Sequence, residues 1–171
     1  MNNYTWNYTI LQPSDLPKKA QRFIEVMGID TSSLRLMTLT PCPNGKFFKS
    51  FISPEEGKPI GKTTAIAEFD AVYFLSESVK VGTAIHELTH IYLSQKNIVW
   101  GIKYDLRSMG EKFIAQHGKN ALTAYALYSL FANKWEEVIC EIVATYGRRG
   151  QFDRIKEMFA NAPQQTKKGG I

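Results

Sequence analysis

The sequence predicts an α+β fold in which a small sheet with one helix precedes a helical second half. Up to about residue 78, one helical segment and several short runs of β-branched or aromatic residues are separated by turns that contain Pro, Gly or Asn. From about Val79 onward, apolar residues recur at helical spacing instead. We therefore expect a small mixed or antiparallel sheet, largely meandering, and then a run of helices.

The length and composition favour one domain. A chain of 171 residues, 44% of them hydrophobic, is long enough to bury a sizeable core and suits one domain better than two. We expect this single domain to span residues 1–171, with the sheet part in 1–78 and the helical part in 79–163. A polar tail over residues 164–171 is expected to fray.

Turn residues set the expected bounds of the individual elements. The segment Pro13-Ser14-Asp15 should open the first helix, and Gly28 should stop it after about Met27. Strands are expected at residues 34–39, 46–52, 63–69 and 71–75. After the helix that starts near Val79, further helices are expected at residues 106–116, 121–132, 134–146 and 152–160.

The chain shows no sign of a membrane span or of a secretory leader. It has no stretch of about 18 consecutive apolar residues, and its first residues lack the basic start and apolar block of a signal peptide. Its two cysteines, Cys42 and Cys140, are too few for a disulfide framework and lack the close spacing of a thiolate zinc site. We expect a protein that stays in the cytoplasm or is exported without a classical signal peptide.

The charge pattern argues against a nucleic-acid partner. The formal net charge of +5 is dispersed, with small clusters only at Arg148-Arg149 and Lys167-Lys168. A basic stripe interleaved with aromatic residues, as nucleic-acid binding would favour, is missing from the sequence. Nothing in the sequence indicates an oligomeric state.

The segment His86-Glu87-Leu88-Thr89-His90 carries the chemistry. Residues four apart lie on one face of a helix, so His86 and His90 can present two imidazoles to one zinc ion. Glu87 lies part of a turn away, where it cannot easily join the two ligands but can take a proton from a water that the ion activates. Ile85, Leu88 and Tyr92 form an apolar stripe that should anchor the helix in the core while the histidines face a cleft.

A third ligand has to come from elsewhere in the chain. Leu93 and Lys96 stand where a metzincin would need Gly and His, so that class is excluded and a carboxylate becomes the better candidate. Residues 135–144 are apolar around most of a helical circumference, yet Glu137 and Glu141 lie four apart on one face of it. Burying two unpaired carboxylates costs too much unless a cationic or hydrogen-bonding partner receives them. We therefore predict Glu137 as the third ligand and Glu141 as an acceptor for a ring N–H of His86 or His90.

Other assignments remain open at this point. Glu137 and Glu141 would also be satisfied by an ion pair with an Arg or Lys such as Arg148. Glu136 points closer to the apolar side of its helix and is a weaker ligand candidate. His117 and Glu111 are further candidate ligands, although His117, next to Gly118, has the position of a residue at a helix end.

These residues resemble the lethal-factor-like zincins, the family that includes the catalytic domain of anthrax lethal factor. The likeness rests on the His86-to-His90 motif, on Glu137-Val-Ile-Cys-Glu141, which is similar to the Glu-x-x-x-Glu helix of the family, and on Asn161-Ala162-Pro163 near the end of a following helix. It covers roughly residues 70–165. The resemblance implies that Glu137 is the zinc ligand and that a tyrosine just upstream, Tyr128 or else Tyr125, donates to the oxyanion. The spacing of these tyrosines departs from the family's pattern, so both remain candidates.

The resemblance and the motif together imply a zincin-like fold and a zinc-dependent endopeptidase that binds one Zn²⁺ and cleaves a protein or peptide substrate. An extended peptide would align along a sheet edge, for which the segments 63–69 and 71–75 are the candidates. The alternatives are a catalytically inactive binding module that keeps its zinc, and a DNA-associated metalloprotease suggested only by the net charge.

Overall fold

The computed structural model describes residues 7–40, 65–68, 70–74 and 78–166. Within these ranges the chain forms four strands and six α-helices, so the fold is α+β and mostly helical, as the sequence predicts. The strands are β1 (Asn7–Leu11), β2 (Arg35–Thr40), β3 (Ala65–Glu68) and β4 (Ala71–Phe74). The helices are α1 (Lys18–Met27), α2 (Val81–Val99), α3 (Leu106–His117), α4 (Ala124–Phe131), α5 (Trp135–Arg148) and α6 (Phe152–Ala160).

The described strands form a mixed sheet in the order β1-β2-β4-β3. Strands β1 and β2 pair antiparallel, as do β3 and β4, whereas β2 and β4 pair in parallel with Arg35 opposite Ala71. The expected meander is therefore wrong at this point, because β4 and not β3 lies beside β2. The strand predicted at residues 46–52 falls outside the described residues.

Two of the strands lie at the edges of the sheet. Of the two segments expected to offer an edge, β3 is the edge strand and β4 lies inside the sheet. The opposite edge is β1, which the sequence analysis missed. The alternation of Tyr8 and Ile10 around Thr9 is a strand signal that would have found it.

The first helix is shorter than its sequence pattern suggests. Pro13–Asp15 forms a 3-10 turn, Leu16 is extended with ψ 158°, and the α-helix begins only at Lys18. Pro17 explains the break, because the ring of a proline disfavours the helical conformation in the residue before it. The end of α1 agrees with expectation, since Gly28 takes the left-handed conformation with φ 64°.

The helix expected at residues 121–132 also begins late. A 3-10 turn at Lys119–Ala121 and an extended Leu122 precede it, and the side chain of Thr123 accepts a hydrogen bond from the N–H of Ala126. The ends of α3 and α5 lie within one or two residues of the expected bounds, and α6 matches them.

The beginning of the polar tail is tied to the body of the chain. The N–H of Asp105 donates to the carbonyl of Pro163 at 2.7 Å, and the N–H of Gln165 donates to the carbonyl of Lys103 at 2.8 Å. Residues 164 and 165 thus pair with residues 103 and 104, and the fraying expected for the tail stays a prediction. Residues 167–171 fall outside the described part of the chain.

Helices α2 and α5 pack against each other at the centre of the core. Ile85 and Leu88 of α2 and Val138 and Ile139 of α5 are all fully buried. Gly147 brings the end of α5 close to α2, because a Cβ atom there would lie 2.5 Å from Cδ1 of Ile85. This contact fixes the distance between the two helices that carry the predicted site. None of the helices in the described ranges is both long and apolar enough to cross a membrane.

Candidate metal centre

The two histidines of the motif lie on the face of α2 that packs against α5. The apolar residues of the expected stripe anchor α2 in the core, and residues 84 to 89 are all buried. The face that carries the histidines is also covered, since the exposed fractions of the His86 and His90 side chains are only 10% and 18%. The histidines were expected to face an open cleft. In the described residues they face α5, which lies directly opposite the imidazoles.

Glu137 of α5 joins the two imidazoles. Its Oε2 lies 3.0 Å from Nε2 of His86, and its Oε1 lies 3.2 Å from Nε2 of His90. Two Nε2 atoms from successive turns of α2 thus point at one carboxylate from another helix. The structure brings the three predicted ligands together.

The Nδ1 atoms of both imidazoles meet further carboxylates of α5. Nδ1 of His86 lies 2.8 Å from Oε1 of Glu141, whose other oxygen accepts a hydrogen bond from Oγ1 of Thr123 at 2.8 Å. Nδ1 of His90 lies 2.7 Å from Oε1 of Glu136. Glu136 is a weak ligand candidate by sequence, but the first turn of α5 places its side chain within reach of His90. Each ring is therefore held from both of its nitrogens.

Electrostatic coupling within this group shifts the pKa values of its members. Burial acts to lower the pKa of His86, but hydrogen bonds to Glu137 and Glu141 outweigh burial and raise it to about 9. Burial likewise opposes a charge on His90, while its contacts with Cys140, Glu136 and Glu137 raise its pKa. Burial acts to raise the pKa values of Glu137 and Glu141, and their hydrogen bonds to the histidines lower both. The carboxylates are thus kept ionised beside the imidazoles.

Glu87 lies between this group and the sheet. Only 8% of the surface of Glu87 is exposed, and this burial raises the pKa of its carboxyl group. The carboxyl group accepts a hydrogen bond from the backbone N–H of Ala67 in β3. Ala67 lies opposite Val72 of β4 in the register of the sheet. Glu87 therefore lies beside the metal-ligand candidates and beside β3, which is an edge strand among the described strands.

Tyr125 is the tyrosine that reaches the group. Its hydroxyl donates to Oε2 of Glu137 at 3.1 Å, and its ring centroid lies 6.0 Å from that of His86. Tyr128, the first choice from the sequence, lies one turn further along α4 and is 42% exposed. Among the described residues, no hydrogen bond or ring contact joins Tyr128 to His86, His90 or Glu137.

The other candidate ligands lie elsewhere. Glu111 pairs with Arg107 at 2.7 Å, and the ring of His117 packs on Phe113 with 4.6 Å between centroids. The alternative pairing of Glu137 and Glu141 with Arg148 is not observed among the described ion pairs, which join both glutamates to histidines. Arg148 affects Glu141 only through a longer-range electrostatic attraction.

Cys140 is a member of the group that sequence analysis missed. Ligand atoms of His86, His90 and Cys140 lie within 4.8 Å of one another. Cys140 is fully buried, and burial raises the pKa of its thiol to about 12 although the contact with His90 acts in the opposite direction. Its position one helical turn after Glu137 is the signal that could have identified it.

The donors of this group could hold a metal ion. Two imidazole nitrogens, a carboxylate and a thiol are ligands that zinc binds, whereas magnesium and calcium prefer sites built from oxygen alone. Imidazoles whose second nitrogen meets a carboxylate are also typical of zinc sites, because the carboxylate fixes the orientation of the ring. Comparisons of the chain with protein-family models, with curated proteins and with solved structures found no match.

Proposed function

We propose that the protein is a zinc-dependent endopeptidase with a zincin-like fold, related to the lethal-factor-like zincins. The single observation that carries the proposal is the meeting of His86, His90 and Glu137 from two helices, with Glu87 buried next to them. Two imidazoles and one carboxylate are the ligand set of catalytic zinc sites that keep their fourth position open.

Each side chain of the group has a role in this proposal. His86, His90 and Glu137 would hold the ion, while Glu141 and Glu136 orient the imidazole rings through their Nδ1 atoms. Zinc bound there would supply Lewis acidity toward a water molecule and the scissile carbonyl group. Glu87 would take the proton of the attacking water and return it to the leaving amine. Burial supports this role, because it raises the pKa of Glu87 and makes the carboxylate a stronger base.

Tyr125 is the better candidate for stabilising the oxyanion. Its hydroxyl lies at Oε2 of Glu137, so a small movement of the side chain would carry the donor to a carbonyl oxygen bound beside that carboxylate. Tyr128 is the less favoured choice, because it is one turn further from the group.

The sheet edge indicates how a peptide substrate would bind. Among the described strands β3 lies at the edge of the sheet, and the N–H of its residue Ala67 donates to Glu87. A peptide that added to this edge as a further strand would run past the carboxylate that acts as general base. The proposed substrate is therefore an extended segment of a protein or peptide.

Replacing Glu87 with Gln tests the proposal. The amide keeps the shape of the side chain but cannot accept a proton, so we expect Glu87→Gln to bind zinc and to lose peptide hydrolysis by roughly 10²–10⁴-fold. Zinc content is measured by elemental mass spectrometry, and hydrolysis by mass spectrometry of a diverse peptide mixture. The matched control is Glu111→Gln, the same substitution at an exposed residue outside the group. Wild-type protein that carries zinc and cleaves no peptide in the mixture would contradict the proposal.

A second candidate function is a binding module that keeps its zinc for structure only. The position of Cys140 favours it, because a fourth protein ligand gives the closed coordination of structural sites. In that case the Glu87→Gln protein would retain every activity of the wild type.

A further inference from the structure

Cys140 brings to the candidate metal centre a thiol that the proposed hydrolysis does not use. It projects from α5 one turn after Glu137, and its ligand atom lies within 4.8 Å of those of His86 and His90. A buried cysteine that only filled space would need no such neighbours, since it would behave as a small apolar side chain.

Glu137 and Cys140 thus bring an oxygen donor and a sulfur donor from α5 to the same two imidazoles of α2. Glu137 contacts both Nε2 atoms, and Cys140 stands on the same side of α5 because residues three apart lie on neighbouring turns of one face. Four protein donors of nitrogen, oxygen and sulfur are the number and kind found in closed tetrahedral zinc sites.

We propose that Cys140 is a fourth protein ligand of the metal, so that the centre has a closed state coordinated by His86, His90, Glu137 and Cys140. This inference rests on the proposed zinc centre and adds a fourth protein ligand that would limit the access of water to the metal. Coordination replaces the S–H bond with a sulfur–metal bond and releases the proton to solvent. With four protein ligands the metal would have no open position, so hydrolysis would require Cys140 to leave the metal and to take up a proton from solvent again.

A thiolate ligand also selects the metal. Thiolates favour borderline and soft ions such as Zn²⁺, Co²⁺ and Cd²⁺ over Mg²⁺ and Ca²⁺, which prefer oxygen. Cobalt is a useful substitute because a Co²⁺–thiolate bond gives a charge-transfer band in the near ultraviolet, which nitrogen and oxygen ligands do not produce.

The experiment is a titration of the full-length, zinc-depleted protein with Co²⁺, followed by absorption spectroscopy. The chain contains two cysteines, so Cys42→Ser leaves Cys140 as the only thiol and serves as the reference protein. We expect this variant to show the near-ultraviolet band together with the intense visible bands of tetrahedral Co²⁺. Cys140→Ser and Cys140→Ala should retain the visible bands and lose the charge-transfer band. Circular dichroism checks that both variants are folded.

The outcomes separate this inference from the proposed function. A charge-transfer band in Cys42→Ser supports coordination by Cys140 even if the Cys140 variants fail to fold. Visible bands without the charge-transfer band overturn the inference and leave the zinc centre in place. If no Co²⁺ binds to any of the proteins, both the inference and the proposed zinc centre are overturned.

Discussion

The carboxylates of α5 determine how the two imidazoles of α2 are turned. When an imidazole donates a hydrogen bond from Nδ1 to a carboxylate, the lone pair of Nε2 is available to bind a metal. The carboxylate is Glu141 for His86 and Glu136 for His90. Glu141 is further fixed by Thr123, while Glu136 is about half exposed. At the scale of single residues, the orientation of His86 is therefore better supported than that of His90.

Replacing Glu141 with Gln should weaken zinc binding without removing a ligand. The amide loses the charge that steadies the His86 ring, so we expect the zinc affinity to fall by roughly 10–100-fold. Competition with a chromogenic chelator measures the affinity, with Glu111→Gln as the matched control. An unchanged affinity in Glu141→Gln would show that the contact with His86 does not support metal binding.

At the scale of elements, the helices of the second half could be predicted from the sequence because their signals are local. Apolar periodicity and end residues place α3, α5 and α6 close to their observed bounds. The late start of α1 was also readable, since Pro17 stood in the sequence. The parallel pairing of β2 with β4 was not readable, because strand order depends on contacts between distant segments rather than on local composition.

The close contact between α2 and α5 depends on Gly147. A methyl group there would meet Cδ1 of the fully buried Ile85, so we expect Gly147→Ala to lower the free energy of unfolding by roughly 1–3 kcal/mol. Chemical denaturation measures the change. Gly82→Ala is the control, because the three atoms nearest to its added methyl all belong to the exposed Arg148 side chain, which can move aside. Equal stabilities for the two variants would contradict the tight packing at Gly147.

At the scale of the whole molecule, the site is assembled from parts that lie far apart in the sequence. The histidine motif was recognisable because its two histidines are four residues apart on one helix. Glu137 and Glu141 were recognisable because two carboxylates on an otherwise apolar helix need a partner. The proximity of Tyr125 rather than Tyr128 to the histidines depends on how α2, α4 and α5 pack together. The place of β3 at the edge of the described sheet depends on the strand order. Spacing in the sequence determines neither.

The ion pairs of this group should make the stability of the protein depend on pH when a chelator removes metal. The pKa of His86 is raised from 6.5 to about 9 in the folded protein, so its contribution is fully present below about pH 6.5. That contribution is lost as the pH rises through about 9, because the folded protein must then release the proton. We expect the melting temperature in chelator to fall over this interval, as measured by calorimetry.

The control for this measurement is His86→Gln, which removes the titrating group from the same position. Its melting temperature should change less between about pH 6.5 and pH 9 than that of the wild type. A steeper fall in the variant than in the wild type would contradict the sign of the His86 shift.

The zinc content of the purified chain tests the central claim most directly. Wild type, His86→Ala, Glu137→Ala and the control Glu111→Ala are supplied with equal zinc, freed of excess metal and measured by elemental mass spectrometry. We expect about one zinc ion per chain in the wild type and in Glu111→Ala, and substantial loss in the other two because each lacks a ligand. A wild type that retains no zinc, or a Glu137→Ala protein that retains the full amount, would contradict the claim that α2 and α5 hold the metal together.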